Sequence, residues 1–237
     1  MAEPDNHMLF FGFGFCAEAL APQLAARGWQ LSATCRDDEK AARLTAMGIT
    51  PIRLDGTPLT PEQLEGITHI LLSAAPTREG DPALPLLAPA LQTHGLSWIG
   101  YLSTTGVYGD HAGAWIDEDT PRGKMGARGQ ARVDAEAAGI YGPGRNQLVS
   151  MQNGKARRID KPGQVFSRIH VADIAQILLA SIAKPKAGRA YSVCDDVPAP
   201  PQDVVAFAAD LLGMPAPPLI AFEDAELSPM AQSFYAD

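Results

Sequence analysis

The sequence predicts an α/β protein in which a doubly wound parallel sheet is followed by a small C-terminal lobe. Three observations predict it. Short apolar runs alternate with Ala/Leu-rich stretches of helical period through the first hundred residues. The alternation has the spacing of βαβ units, which demand parallel strands joined by crossover helices. The first of these strand–helix junctions reads Gly12-x-Gly14-x-x-Ala17, a turn in which backbone rather than side chain is left exposed.

Taken in order, residues 8–11 (MLFF) form an uninterrupted apolar run ending at Gly12 and read as a fully buried strand. Residues 17–27 carry Ala and Leu at helical spacing, with Gly28 as the C-terminal cap. Pro22 inside that stretch costs about 3 kcal/mol unless it falls near the first turn, so the helix is expected to start late or bend. Residues 29–35 alternate as a second strand, 38–47 are helical and closed by Gly48, and 49–54 form a third strand. Thr60-Pro61-Glu62-Gln63 has the form of a capping box with proline at the first helical position. Residues 67–74 (ITHILLSA) are a strongly buried fourth strand, 82–94 a proline-punctuated helix and 97–103 a fifth strand. Beyond residue 140 the pattern loosens, with clear helices at 171–183 and 202–212 and a proline-rich turn or linker at 197–201. The expected division is a nucleotide-binding domain over 1–140 and a smaller substrate-covering region over 141–237, with 165–194 packing back on the sheet.

Composition narrows the function. The chain has 237 residues, 46% of them hydrophobic and 19% charged, as in an ordinary soluble globular protein. A net charge of −8 argues against an extended nucleic-acid surface but leaves room for one small basic pocket. Cys16, Cys35 and Cys194 are odd in number and far apart, which fits a reducing compartment and gives neither a disulfide framework nor a zinc site. The five histidines are equally scattered, so no metal is expected. No apolar run reaches the roughly 18 residues of a membrane span, and the N-terminus lacks a cleavable leader pattern. The expectation is a cytoplasmic protein with a small-molecule substrate, neither nucleic acid nor membrane being a partner.

The glycine turn is the strongest chemical signal. Between a first strand and a first helix, Gly12 permits the tight turn and Gly14 lets a pyrophosphate approach backbone N–H groups. Phe13 and Phe15 take the variable positions, and Ala17 stands where the helix packs closely on the strand. This is the dinucleotide fingerprint of a Rossmann-type fold, the alternative being a glycine turn that merely packs. At the end of the second strand an NAD site usually offers Asp or Glu to the ribose 2′-hydroxyl, whereas this strand ends Thr34-Cys35-Arg36. Arg36 can pair bidentately with a 2′-phosphate, favouring NADP(H) over NAD(H). Asp37 and Asp38 follow and either compete with that reading or cap the next helix. Asp55, ending the third strand, either accepts from the adenine amino group or serves the turn at Gly56.

Four further segments carry a family likeness: Leu102-Ser103-Thr104-Thr105-Gly106-Val107-Tyr108-Gly109, Asp117-Glu118-Asp119-Thr120-Pro121, Gly139-Ile140-Tyr141-Gly142-Pro143-Gly144-Arg145, and Arg168-Ile169-His170-Val171-Ala172-Asp173-Ile174-Ala175. In this order they resemble the motifs of the extended short-chain dehydrogenase/reductase superfamily, above all its atypical NAD(P)-dependent epimerase/dehydratase-like members. The resemblance implies that Gly12, Gly14 and Ala17 hold the pyrophosphate, Arg36 the 2′-phosphate and Asp55 the adenine. It implies that Ala74, Ala75 and Pro76 lie along the nicotinamide ribose, and that Thr104, with Ser103 beside it, polarises a substrate carbonyl. For Ser103 and Thr104 the alternative is a strand end whose hydroxyls bond local backbone. Dimers are common among related folds, so a homodimer stays open.

Two departures stand out. Where the family carries its catalytic Tyr-x-x-x-Lys, alignment on Arg132-Val133-Asp134-Ala135-Glu136 puts Arg128 and Arg132. Arg132 can hold ribose or phosphate, but arginine does not exchange a proton near neutral pH, so the acid/base is unassigned. Tyr141-x-x-x-Arg145 mimics the spacing, but the intervening Gly142-Pro143-Gly144 forbids a helix that would align the pair. Tyr101 and Tyr108 remain fallback acids that read better as packing residues, and His170 reads as structural. The helix ending near Ala138 also runs straight into Gly139, leaving no room for the buried sixth strand of the family. Either the sheet lacks that strand or the sequence lacks a segment there, and the second is favoured. The rival to an enzyme is a non-catalytic NADP(H)-sensing protein that keeps the cofactor turn. A methyltransferase is disfavoured because Arg36 stands where ribose hydroxyls need an acid.

Overall fold

The computed structural model describes residues 6–75, 80–91, 94–103, 105–108, 111, 114–121, 139–228, 231, 232 and 235. They divide into two compact units, one of residues 1–104 with 172–189 and the other of residues 105–171 with 190–237.

The first unit is built on five parallel strands: β1 (His7–Phe11), β2 (Gln30–Cys35), β3 (Thr50–Arg53), β4 (His69–Leu72) and β5 (Trp98–Tyr101). Their spatial order is β3-β2-β1-β4-β5, so the chain reverses its winding on either side of β1, as a doubly wound sheet requires. β1 is central because it is apolar on both faces: Met8, Leu9 and Phe10 are fully buried and Phe11 nearly so. A strand covered by helices on both sides needs such a run. Phe10 pairs with Ala33 of β2 and Leu71 of β4, and Phe11 with Leu72, so the strands end together at the glycine turn.

The helix α1 (Phe15–Ala25) runs through Pro22 and starts earlier than the sequence suggested. Proline removes only the N–H that would bond the Glu18 carbonyl, and the helix continues to its C-cap, where Ala26 N–H donates to the Pro22 carbonyl at 3.0 Å. Cys16, Ala17, Leu20, Ala21 and Leu24 form its buried stripe. Helix α2 (Asp38–Ala46) is amphipathic and buries only Leu44. The capping box forms as expected: Thr60 N–H donates to Gln63 Oε1 at 2.9 Å and Gln63 N–H to Thr60 Oγ1 at 3.4 Å. It closes a single 3-10 turn, Glu62–Leu64, rather than an α-helix. Helix α3 (Ala83–Leu91) buries Ala83, Leu87 and Ala90 in a core shared with Leu9, Phe11, Leu64 and Ile70. In β5 the Trp98 indole lies over Gly100, where a Cβ would collide with it, and its Nε1 donates to Ser181 Oγ at 3.1 Å.

The second unit has short elements. β6 (Ile140–Tyr141) pairs in parallel with β8 (Ile169–His170), and β7 (Arg158–Asp160) with β9 (Leu219–Ala221). Helices α4 (Gln147–Gln152) and α6 (Pro201–Leu212) share a core of Met151, Val205, Ala208 and Ala209. Between them in sequence, α5 (Val171–Ala183) covers the residues predicted for it and from Ala172 onward belongs to the first unit. Ala138 lies outside the described residues, so the suspected seam with Gly139 does too. Among the described residues no helix is long and apolar enough to cross a membrane.

Candidate nucleotide-binding site

β1 delivers the chain to Gly12, which sits at φ +88°. A Cβ at Gly12 would lie 2.6 Å from the Ala74 nitrogen and 2.8 Å from its Cα, backbone atoms that cannot swing aside. The approach is fixed by the end of β4, since the Phe11 carbonyl accepts from both Ser73 N–H and Ala74 N–H at 2.9 Å. Hydroxyls from the two flanking strands then clamp the glycine. Its N–H donates to Thr34 Oγ1 at 2.8 Å, and its carbonyl accepts from Ser73 Oγ at 2.7 Å.

Gly14 is the N-cap of α1, in extended backbone (φ −117°, ψ −160°), and a Cβ there would meet no protein atom within 4 Å. The two glycines thus differ: the first is required by the fold, the second leaves space above a helix start, which carries partial positive charge. Phe13 is buried edge-on against Phe10, with ring centroids 5.3 Å apart, while Phe15 is half-buried at the first turn. Ala17 is fully buried, as close helix–strand packing needs.

A cleft of about 270 Å³ lies beside this turn, with Gly12, Thr34, Arg36, Asp37, Lys40 and Ala74 in its lining. Arg36 is exposed at the end of β2. The acidic pair behind it has structural work: Asp37 Oδ1 accepts from Lys40 N–H at 2.7 Å as the cap of α2, and Asp38 pairs with Arg53 at 2.6 Å. Cys35 is buried, and burial pushes its thiol above the ordinary range, so it is a packing residue rather than a nucleophile. Asp55 is exposed, and its Oδ1 accepts from Thr57 Oγ1 at 2.6 Å and Thr57 N–H at 2.9 Å. Those two bonds hold its carboxyl below the usual carboxylate range.

Ala74 and Ala75 are half-buried at the end of β4, and Ser103 is exposed just after β5. Pro76, Thr104, Arg128 and Arg132 lie outside the described residues. Tyr101 is half exposed, while Tyr108 is buried with its hydroxyl 3.3 Å from Ser192 Oγ. Tyr141 donates to Asp195 Oδ2 at 2.9 Å and meets the His170 ring edge-on at 5.1 Å. No group of three or more His, Cys, Asp or Glu among the described residues could hold a metal ion.

Sequence reasoning missed Thr34, Ser73 and Lys40. The hydroxyls look like ordinary strand residues until the register places them on either side of Gly12. Lys40 had a faint signal: it stands in the first turn of α2, where the helix dipole disfavours a cation.

No protein-family model matches the chain. Among solved structures, a functionally unknown conserved protein from Silicibacter pomeroyi is 47% identical with a TM-score of 0.86, the match covering 98% of this chain and 87% of that one. The chain belongs to the family of that protein. Protein YeeZ of Escherichia coli strain K12 is 27% identical over 235 residues, 87% of this chain and 84% of that protein. A dTDP-glucose 4,6-dehydratase from Bacillus anthracis, solved in complex with NAD, is 15% identical with a TM-score of 0.70, covering 97% of this chain and 89% of its own. The chain shares the fold of that dehydratase, a doubly wound parallel sheet with flanking helices.

Proposed function

We propose that the chain is an NADP(H)-binding protein of the epimerase/dehydratase or reductase kind, acting on a small carbonyl or sugar-derived substrate in the cytoplasm. The observation that carries the reading is the turn after β1, where Gly12 admits no Cβ and Gly14 leaves room that one would fill. A pyrophosphate fits such a turn because it meets backbone N–H groups and the helix dipole instead of side chains. The NAD complex of the Bacillus anthracis dehydratase, which shares the fold, supports a nicotinamide dinucleotide as the ligand class. NADP over NAD is supported by Arg36 at the end of β2, with Asp37 and Asp38 each engaged elsewhere. A guanidinium there matches a 2′-phosphate with two parallel hydrogen bonds.

The bound nicotinamide would supply a hydride donor or acceptor. Around it, Asp55 would meet the adenine, Ala74, Ala75 and Pro76 would line the nicotinamide ribose, and Arg132 would hold ribose or phosphate. Thr104, beside Ser103, would polarise the substrate carbonyl. The test is NADPH oxidation with a panel of small carbonyls, together with product formation from nucleotide sugars in the presence of NADP+, because an epimerase or dehydratase returns its hydride and leaves the cofactor unchanged overall. Sustained turnover, lost in Thr104→Val, is expected. No turnover with any of them would contradict the enzyme reading.

A second reading rests on Arg128 and Arg132, which stand in the sequence where the family carries its tyrosine and lysine. It is a sensor that binds NADP(H) without consuming it, and turnover in the same panel excludes it.

A further inference from the structure

We infer that Lys40 is a positioning and specificity-determining residue of the nucleotide site, fastening the glycine turn while giving the 2′-phosphate a second cation beside Arg36. The inference rests on the NADP(H) reading above and extends it to a residue with no motif of its own. Lys40 Nζ donates to the Phe13 carbonyl at 2.8 Å, so the first turn of α2 is tied to the middle of Gly12-x-Gly14. The same ammonium lies 5.3 Å from the centre of the Phe13 ring. Its side chain is 26% exposed and lines the cleft that Arg36 and Gly12 line.

The charge balance points the same way. The nearest carboxylate, Glu18, is 3.9 Å from Lys40, beyond hydrogen-bond reach, and is instead bonded by Arg43 at 2.5 Å. Asp37 caps the backbone N–H of Lys40 with one of its carboxylate oxygens. The ammonium is therefore hydrogen-bonded to a neutral carbonyl and set against a ring face, while its ion pair with Glu18 is long and shared with the nearer Arg43. A cation in the first turn of a helix opposes the dipole. A dianionic phosphate offsets that opposition, because Lys40, Arg36 and the helix start then act on one charge.

The experiment is titration of the full chain with NADPH, NADH and adenosine 2′,5′-bisphosphate, comparing wild type, Lys40→Met and Lys40→Arg. Losing one charge-assisted contact predicts about tenfold weaker binding of NADPH and of the bisphosphate in Lys40→Met. NADH, which lacks the 2′-phosphate, should lose less than about threefold, through the loosened turn alone. Lys40→Arg should recover most of the NADPH affinity. Equal losses for NADPH and NADH would reduce Lys40 to a structural tie, and an unchanged NADPH affinity would remove it from the site. Either result overturns the inference while wild-type NADPH preference keeps the parent reading. Wild type that binds no dinucleotide overturns both.

Discussion

Alanine at Gly12 and alanine at Gly14 should fail in opposite ways, and the difference can be worked from the structure. At Gly12 the backbone is at φ +88°, where a non-glycine residue costs about 1–2 kcal/mol. The added Cβ also meets Ala74 backbone at 2.6 and 2.8 Å, and overpacking of that kind costs about 1–3 kcal/mol more. Relief requires Gly12 to move away from Ala74, which lengthens the hydrogen bond that its carbonyl accepts from the neighbouring Ser73. Gly12→Ala should therefore lose about 2–5 kcal/mol, a large share of the roughly 5–15 kcal/mol that holds a typical protein folded. Gly14 is in extended backbone open to any residue and has no protein neighbour for a Cβ, so Gly14→Ala should cost only the exchange of an N-cap glycine for alanine, about 0.5–1 kcal/mol. Its effect should appear in dinucleotide affinity, since the methyl group occupies the room in which a pyrophosphate would meet backbone. Urea denaturation followed by NADPH titration separates the two. A Gly12→Ala protein within about 1 kcal/mol of wild type would refute the steric argument. A Gly14→Ala protein binding NADPH like wild type would refute the placement of the pyrophosphate.

Three other outcomes follow from the same geometry. Thr34→Val keeps the shape of the side chain but leaves the Gly12 N–H without its acceptor, so stability should fall by about 1–3 kcal/mol in denaturant. Burial holds His7 and His69 below the ordinary histidine value of 6.5 and so favours the neutral form of both in the folded chain. Their contribution is complete above pH 6.5 and is lost as pH falls below it, because the unfolded chain then binds protons that the folded one resists. Denaturation midpoints between pH 8 and 5 should drop on the acid side, and less steeply in His69→Gln. Tyr141→Phe removes a phenol bonded to a carboxylate and should cost about 1.5–3 kcal/mol, read by the same denaturation.

The sheet was legible where physics leaves long signatures. Buried parallel strands must be apolar throughout, so residues 8–11 and 67–74 announced β1 and β4, and the 3.6-residue period over 171–183 announced α5. The two- and three-residue strands β6 to β9 carry no period to detect, and the capping box at Thr60 was correct in chemistry but closed only one turn. In the site, glycine spacing and Arg36 could be read because they depend on local sequence. The clamp on Gly12 could not, since Thr34 and Ser73 meet it only through the β2-β1-β4 register. Nor could the tie from Lys40 to the Phe13 carbonyl, which joins residues on two different helix–strand junctions.

The central claim is that the turn after β1 and Arg36 at the end of β2 form one NADP(H) site. Its most direct test is the affinity for NADPH against NADH in wild type and in Arg36→Glu. Wild type should bind NADPH at least about tenfold more tightly, as a bidentate guanidinium–phosphate pair implies. Arg36→Glu should abolish that preference or reverse it, because a carboxylate repels the 2′-phosphate and accepts from the ribose hydroxyl. NADH bound by wild type as tightly as NADPH would contradict the account.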